Sequence, residues 1–353
     1  MSDIAADLSS TTAVIIDRIG VELVTPAADW DRAVWEQLRE GGFATVAISE
    51  SSGGGGGDLA DALAVVAAAA AHGALTPLIE HGVLAAWVAS SAGHTLTSGV
   101  AVVGVAAAGE VRVTAQHRLD GTVTGIPFAA DADTLVIVLC PETDAGPSTV
   151  VVVSTAGPGI TVSRGTDLTG VSLADVTFED AAIAFHGDSA LTLDEVVRRG
   201  ALAYAAALAG AARAVHDRTL RHASERLQFG RPLAEFQAVQ QRLAQQAALT
   251  TMNEIAVDAA ASGSSDAAAA AKVVTAIAAY PIAAAAHQIH GAIGTTSEHA
   301  LGRFTTALWS WRDRHGSESF WAEELARRVL EDGVDVWDLV VDSTYTETNR
   351  RQL

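Results

Sequence analysis

The pattern of apolar residues changes period twice along this 353-residue chain, and this change restricts the possible folds most strongly. Over residues 1–95 the apolar positions recur at helical spacing. Over residues 96–187 the chain shows short β-branched runs with Gly, Asp and Pro between them, which predicts a small antiparallel β-domain. Over residues 188–353 long helical patterns with short turns predict a four-helix bundle. We therefore predict an α+β fold with three domains that follow these boundaries.

Charge and composition exclude several classes of function. The formal net charge is −20, with 42 acidic residues against 22 Lys and Arg. A protein that tracks nucleic-acid phosphates, or binds an anionic membrane surface, needs clustered positive charge. The N-terminus Met1 to Asp7 is acidic where a secretory signal would be basic. We therefore predict a cytoplasmic protein with neither nucleic acid nor membrane as a partner.

A glycine-rich segment from Ser51 to Asp58 is the first candidate for ligand binding. A run of backbone N–H groups in such a segment can hold a phosphate. However, the segment lacks the Lys-Ser/Thr pair of a P-loop, and no parallel-sheet strand precedes it. We predict a plain connecting loop. No metal site is expected either, because His287 and His290 have no third ligand at a recognisable spacing.

Two segments of the C-terminal zone are unusual in combination. The first is Glu225-Arg226-Leu227-Gln228-Phe229-Gly230-Arg231-Pro232 with Phe236-Gln237-Ala238-Val239-Gln240, and the second is Gln288-Ile289-His290-Gly291-Ala292-Ile293-Gly294. Each alone is a weak signal, because similar helix-end sequences occur in many proteins. Together they resemble the paired flavin-adenine signatures of the acyl-CoA dehydrogenase family. Residues 119–129 also resemble the middle-domain hairpin of shorter family members.

The resemblance implies FAD as cofactor and an acyl-CoA thioester as substrate. It assigns the FAD pyrophosphate and adenosine to the first segment, through Arg226, Gln228, Phe229 and Gln237. The second segment would close over the adenine side from an adjoining subunit, through Gln288, Gly291 and Gly294. The chemistry agrees, because a planar guanidinium suits a pyrophosphate and glycines let backbone N–H groups approach a nucleotide.

The same comparison reveals that a catalytic group is missing. Family members commonly place a glutamate, which abstracts the acyl α-proton, directly before a Gly-Thr/Ser pair. Here that position is His315, followed by Gly316 and Ser317, and Ser317 matches the hydroxyl residue that approaches the FAD phosphates. The alternative family position, within residues 198–201, holds no carboxylate. His315 is therefore either an atypical base or a non-catalytic replacement, with Glu318 as a weaker candidate.

The flavin-ring motifs of the family are altered as well, in residues 97–104 and 126–129. The adenine-side motifs are thus present, while the motifs for the flavin ring are altered. This combination is typical of short family members in actinobacterial-type steroid catabolism, which pair with a catalytically complete subunit. The first hypothesis is a subunit of a heteromeric, FAD-dependent acyl-CoA dehydrogenase without its own base, with electron-transfer flavoprotein as a further partner. The alternatives are a homo-oligomeric dehydrogenase that uses His315 and a redox-inactive relative that binds CoA ligands.

Overall fold

The structure is a computed structural model that describes residues 2–96, 99–107, 109–140, 148–261 and 264–337. The chain forms two compact units. The first, the helical unit, comprises Met1–Ala28, Leu63–Leu75 and Ala201–Leu353. The second, the sheet unit, comprises Asp29–Ala62 and Thr76–Gly200. Helices and sheets of this kind confirm the predicted α+β class, whereas the three domain boundaries stay a prediction.

The sheet unit contains two four-stranded sheets. The first has the order β1-β4-β5-β8 and the second the order β2-β3-β7-β6. The strands are β1 Ala101–Ala106, β2 Val111–Val113, β3 Arg118–Pro127, β4 Thr134–Leu139, β5 Ser148–Ser154, β6 Ile160–Thr166, β7 Ser172–Ala182 and β8 Phe185–Ser189. Strands β4 and β5 are almost entirely buried, as expected from their continuous Val, Ile and Leu content.

One pairing differs from the antiparallel pattern that we predict. Strands β1 and β4 run parallel, with Ala101 opposite Thr134, while the other pairings are antiparallel. The physical reason is the connection, because the chain forms β2 and β3 of the second sheet before it returns as β4. A crossover of that length permits a parallel pair.

The helical elements of the sheet unit are short. Helix α2 spans Arg32–Glu40, and a π-helix, Ile79–Ala86, continues into α4, Trp87–Ser91. Helix α3, Leu59–Ala71, begins in this unit. The glycine-rich loop before α3 uses its own backbone donors, since the N–H groups of Gly55, Gly56 and Gly57 donate to the carbonyls of Thr45, Ile48 and Val46. These donors are therefore not available to a phosphate, which favours the plain-loop interpretation.

The helical unit contains α1 Asp3–Ile19 and a bundle. The bundle helices are α5 Leu193–Glu225, which starts in the sheet unit, α6 Gln237–Ala261, α7 Ser265–His290, α8 Leu301–Trp311 and α9 Glu318–Leu330. A short hairpin of β9, Leu227–Gln228, and β10, Arg231–Pro232, joins α5 to α6. The core is rich in alanine and also contains Leu208, Val215, Ile282, Phe304 and Leu308.

Small residues allow the helices of this unit to approach closely. A Cβ atom on Gly210 of α5 would lie 2.1 Å from the carbonyl oxygen of Ala67 on α3. No real Cβ tolerates such a distance, so the glycine is required by the contact between α3 and α5.

We expect Gly210→Ala to lower the free energy of unfolding by about 2 kcal/mol. Alanine favours a helix by ~1 kcal/mol over glycine, but overpacking against a backbone carbonyl costs ~1–3 kcal/mol or more. Thermal unfolding measures the change. Gly302→Ala is the control, because the three atoms nearest to its added Cβ all belong to the side chain of Thr25 and none to a backbone carbonyl. An unchanged or raised midpoint for Gly210→Ala would contradict the close contact.

By length and composition alone, the segment Asp266–Thr295 could cross a membrane. Its most apolar window is 61% buried within the protein, however. A core helix of a soluble protein has the same properties, so this segment is weak evidence for a membrane span.

Candidate functional site

The first predicted motif forms an exposed hairpin at the end of α5. Phe229 and Gly230 lie between β9 and β10 with φ values of 51° and 82°, which is the backbone of a type I′ turn. The turn leaves the Phe229 side chain 93% exposed. Arg226 and Gln228 are also exposed, and within the described part of the chain the Arg226 guanidinium has no hydrogen bond or ion pair. The hairpin therefore presents an aromatic ring and a planar cation to solvent.

The second predicted motif lies at the same end of the bundle. Ile289 of α7 packs with Ala223 and Leu243, next to Leu233 and Val239. The rings of His222 and His290 stack at a centroid distance of 4.3 Å. The structure thus brings together two segments that are some sixty residues apart in sequence.

The adenine-side residues are those that the family resemblance assigns to the adenosine and pyrophosphate of FAD, and the remaining ones differ in their exposure. Gln237, the first residue of α6, and Gln288 on α7 are exposed. Gly291 has a φ of 65° and no atom within 4 Å of an added Cβ, so a ligand could approach its Cα closely, while its N–H donates to the carbonyl of His287. Gly294 is buried, because an added Cβ would lie 2.7 Å from the Cβ of His290. Gly294 thus permits close packing, and its predicted contact with a nucleotide stays a prediction.

His315 and Ser317 lie in the turn between α8 and α9. His315 adopts a φ of 51°, and its carbonyl accepts a hydrogen bond of 2.9 Å from Nε1 of Trp321. Its ring stacks on Tyr204 of α5 at a centroid distance of 5.8 Å. Ser317 is the N-cap of α9, and its hydroxyl accepts from the N–H of Phe320. The hydrogen bond from Trp321, the stacking on Tyr204 and the cap at Ser317 therefore hold this turn in place.

The surroundings of His315 oppose its protonation. Burial, with smaller contributions from the Lys272 and Arg314 charges, lowers the pKa of His315 to about 3. One pKa unit corresponds to ~1.4 kcal/mol, so formation of the imidazolium is disfavoured by several kcal/mol. A neutral imidazole that resists protonation is a poor general base near neutral pH.

Lys272 is a residue of this site that sequence reasoning missed. It is the only lysine of the chain and is 0% exposed. Its Nζ donates to the carbonyl oxygen of Trp311, the last residue of α8, at 2.9 Å, and lies 5.8 Å from the centroid of the Tyr204 ring. This carbonyl at the end of α8 also accepts from the backbone N–H of Arg314 at 3.2 Å, so Lys272 adds a second donor to it. A single lysine among the 22 Lys and Arg residues was a signal available in the sequence.

Lys272 predicts a measurable dependence of stability on pH. Burial lowers its pKa from an ordinary value of 10.5 to about 7. Between these values the folded state binds fewer protons than the unfolded state, so the free energy of unfolding should rise with pH. Lys272→Met keeps an unbranched side chain of similar length, and we expect it to remove most of this rise. Thermal unfolding at pH 7 and pH 10 measures this rise. Arg112→Met, at an exposed position of β2, is the control. If the stability of Lys272→Met rises with pH as much as that of the wild type, the prediction is wrong.

The two candidate regions occupy different ends of the bundle. Lys272, beside the His315 turn, is near the start of α7, and His290 is its last residue. These positions are about five helical turns, or ~27 Å, apart. Within the residues that the structure covers, no group of three or more His, Cys, Asp or Glu side chains is arranged to hold a metal ion.

Comparisons with known proteins agree with this architecture. A profile described as "Acyl-CoA dehydrogenase, C-terminal domain" matches residues 192–330. The chain is 30% identical over 314 residues to acyl-CoA dehydrogenase IpdE2 of Mycolicibacterium smegmatis, covering 85% of this chain and 91% of that protein. This chain belongs to the acyl-CoA dehydrogenase family.

Solved structures share its fold. The chain is similar to the ChsE4-ChsE5 complex of Mycobacterium tuberculosis, with a TM-score of 0.82, 24% identity, and coverage of 94% of this chain and 98% of that chain. It is also similar to a variant of the Tcur3481-Tcur3483 steroid ACAD, with a TM-score of 0.78, 22% identity, and coverage of 94% and 99%. Helices α5 to α9 and the two sheets therefore form an acyl-CoA dehydrogenase fold.

Proposed function

We propose that this chain is a subunit of an FAD-dependent acyl-CoA dehydrogenase and lacks its own catalytic base. Its role is to complete, with its adenine-side residues, the FAD site of a partner that carries the glutamate. The substrate is an acyl-CoA thioester with a fatty or steroid side chain, which the assembly dehydrogenates between the α- and β-carbons. The main support for the proposal is that His315 stands where the family has its carboxylate, as a neutral imidazole in a turn held by hydrogen bonds.

The adenine-side residues suit FAD. Arg226 offers two parallel N–H donors to a pyrophosphate, and the exposed Phe229 ring offers a surface for adenosine. Gly291 leaves space for a nucleotide at its Cα. When bound, FAD supplies the hydride acceptor of the reaction. This chain's residues would contribute binding and orientation.

An uncharged stripe on α7 supports assembly with another subunit. The α7 stripe consists of Ile277, Tyr280, Ala284 and Gln288, which are exposed and recur at helical spacing on one face. Ile277 is 54% and Tyr280 58% exposed, and Tyr280 contacts Trp309 of α8 edge to face. Exposed apolar surface of this kind marks interaction sites. Because the stripe ends at Gln288, a partner on it would lie next to the adenine-side residues.

The similar proteins favour a heteromer over a homo-oligomer. The names ChsE4-ChsE5 and Tcur3481-Tcur3483 each join two chains, and the second is called a steroid ACAD. We extend this two-chain arrangement to the present protein, with a steroid side chain as one substrate class. We further expect an electron-transfer flavoprotein to accept the electrons, and a cytoplasmic location.

A complementation assay tests the proposal. The chain is purified alone and together with a related acyl-CoA dehydrogenase subunit that carries the catalytic glutamate, and acyl-CoA-dependent dye reduction is measured. We expect activity in the mixture, its loss when the partner's glutamate is replaced by glutamine, and its retention with His315→Ala in this chain. Activity that survives loss of the partner's glutamate would contradict the proposal.

A further inference from the structure

Arg199 of α5 is a half-buried cation that no carboxylate accompanies. Its Nε donates to the carbonyl oxygen of Val83, in the π-helix, at 2.8 Å. Its guanidinium lies over the ring of Trp87, with the central carbon 4.3 Å from the ring centroid. Both partners belong to the sheet unit, as does Arg199 itself. The side chain is thus held by one hydrogen bond and one stacking contact.

The two terminal nitrogens of this guanidinium have no hydrogen-bond partner among the described residues. Nor does any residue of the described ranges form an ion pair with Arg199. The neighbouring Arg198, by contrast, pairs with Asp194. The chain has 42 acidic residues against 22 Lys and Arg, yet none of the described carboxylates pairs with Arg199. Burial alone, with no carboxylate to oppose it, lowers the pKa of Arg199 to about 10.

The Arg199 guanidinium is preorganised, with its terminal N–H groups free to donate together to one anion, like the two prongs of a fork. Because Nε is bonded to the carbonyl of Val83 and the guanidinium packs over Trp87, the side chain loses little further freedom when it forms new bonds. A planar oxyanion can accept two parallel N–H bonds from such a fork. Arg199 and Trp87 are both half-buried, so the position is shielded from bulk water and still reachable.

We propose that Arg199 binds an anionic group of a ligand, a carboxylate or a phosphate, against Trp87 and the π-helix. The inference rests on the proposed function for the identity of that ligand, an acyl-CoA ester. If the anion is a carboxylate, the favoured esters carry a second carboxylate at the far end of the acyl chain. If it is a phosphate, it belongs to the CoA moiety and all esters use it.

Calorimetric titration of the full chain distinguishes these sources. The probes are butyryl-CoA and succinyl-CoA, which differ in the terminal carboxylate, together with free succinate and inorganic phosphate. Arg199→Met removes the guanidinium, and Arg112→Met, at an exposed position of β2, is the charge-matched control. For a carboxylate site, Arg199→Met should weaken succinyl-CoA ~10- to 100-fold, leave butyryl-CoA within about twofold, and abolish succinate binding. For a phosphate site, it should weaken both esters and inorganic phosphate alike.

The outcomes separate this inference from the proposed function. If Arg199→Met binds both esters as the wild type does, the anion site is overturned while acyl-CoA binding stands. If the wild type binds neither ester but binds succinate or phosphate through Arg199, the anion site stands and the acyl-CoA function fails. If Arg199→Met does not fold, Arg199→Lys keeps the charge without the fork, and an affinity equal to wild type would overturn the bidentate site.

Discussion

The isolated chain is expected to oxidise acyl-CoA esters at least ~10²–10⁴-fold more slowly than a family member that carries the glutamate. Loss of a general base typically lowers the rate by this factor. His315 does not replace it, because burial holds the pKa of its imidazole at about 3 and the turn fixes it against Tyr204. The altered flavin-ring motif in residues 126–129 adds a second loss. Thr97 and Ser98, at the start of the other motif, lie outside the described residues.

Dye reduction with a panel of fatty-acyl and steroid-acyl CoA esters measures this rate. His315→Ala is expected to leave the residual rate of the isolated chain unchanged. Robust turnover that increases with pH through neutrality and disappears in His315→Ala would instead establish the homo-oligomeric alternative, in which His315 is the base. Normal binding of CoA ligands without redox activity in any mixture would support the redox-inactive alternative.

The second large effect concerns the cofactor. Arg226→Ala should weaken FAD binding by the assembled oligomer by ~1.5–3 kcal/mol, or about 10- to 100-fold, because it removes a charge-assisted bidentate contact. The exposed guanidinium has no partner in the described part of the chain, so its removal leaves no buried group unpaired. The folded state should therefore keep its stability while the affinity falls.

Fluorescence titration of the assembled oligomer with FAD measures this affinity. Arg112→Ala, which removes an exposed arginine of the sheet unit, is the control and should retain the wild-type affinity. Gln288→Ala should have a smaller effect, since it removes a neutral hydrogen-bonding group of ~0.5–1.5 kcal/mol. Unchanged FAD retention by Arg226→Ala would contradict the role of the hairpin.

Residue patterns predict the fold well where the local signal is strong. The β-branched runs of residues 134–139 and 148–154 become β4 and β5, and the Ala, Val and Leu run of residues 59–71 becomes α3. Strand β8, Phe185–Ser189, has no such pattern and is specified by its pairing with β5. The parallel pairing of β1 with β4 likewise depends on the path of the chain through the second sheet, which local periodicity does not contain.

In the candidate site, too, continuous segments are predictable from the sequence, whereas contacts between distant residues are not. Paired motifs identify the adenine-side residues, because each is a short continuous segment. The contacts of Lys272 with Trp311 and Tyr204, and of Arg199 with Val83, join residues far apart in sequence. Only the folded chain brings these groups together, and their burial, which sets their pKa values, also arises there.

A chain that contributes half of an FAD site should bind flavin only together with its partner, and the number of flavins per chain measures this. Absorbance of protein-bound flavin, related to the concentration of each subunit, gives this number for the isolated chain and for its mixture with a glutamate-bearing subunit. We expect no stoichiometric flavin on the isolated chain and one FAD for every two chains in the mixed assembly. One FAD on every isolated chain would contradict it.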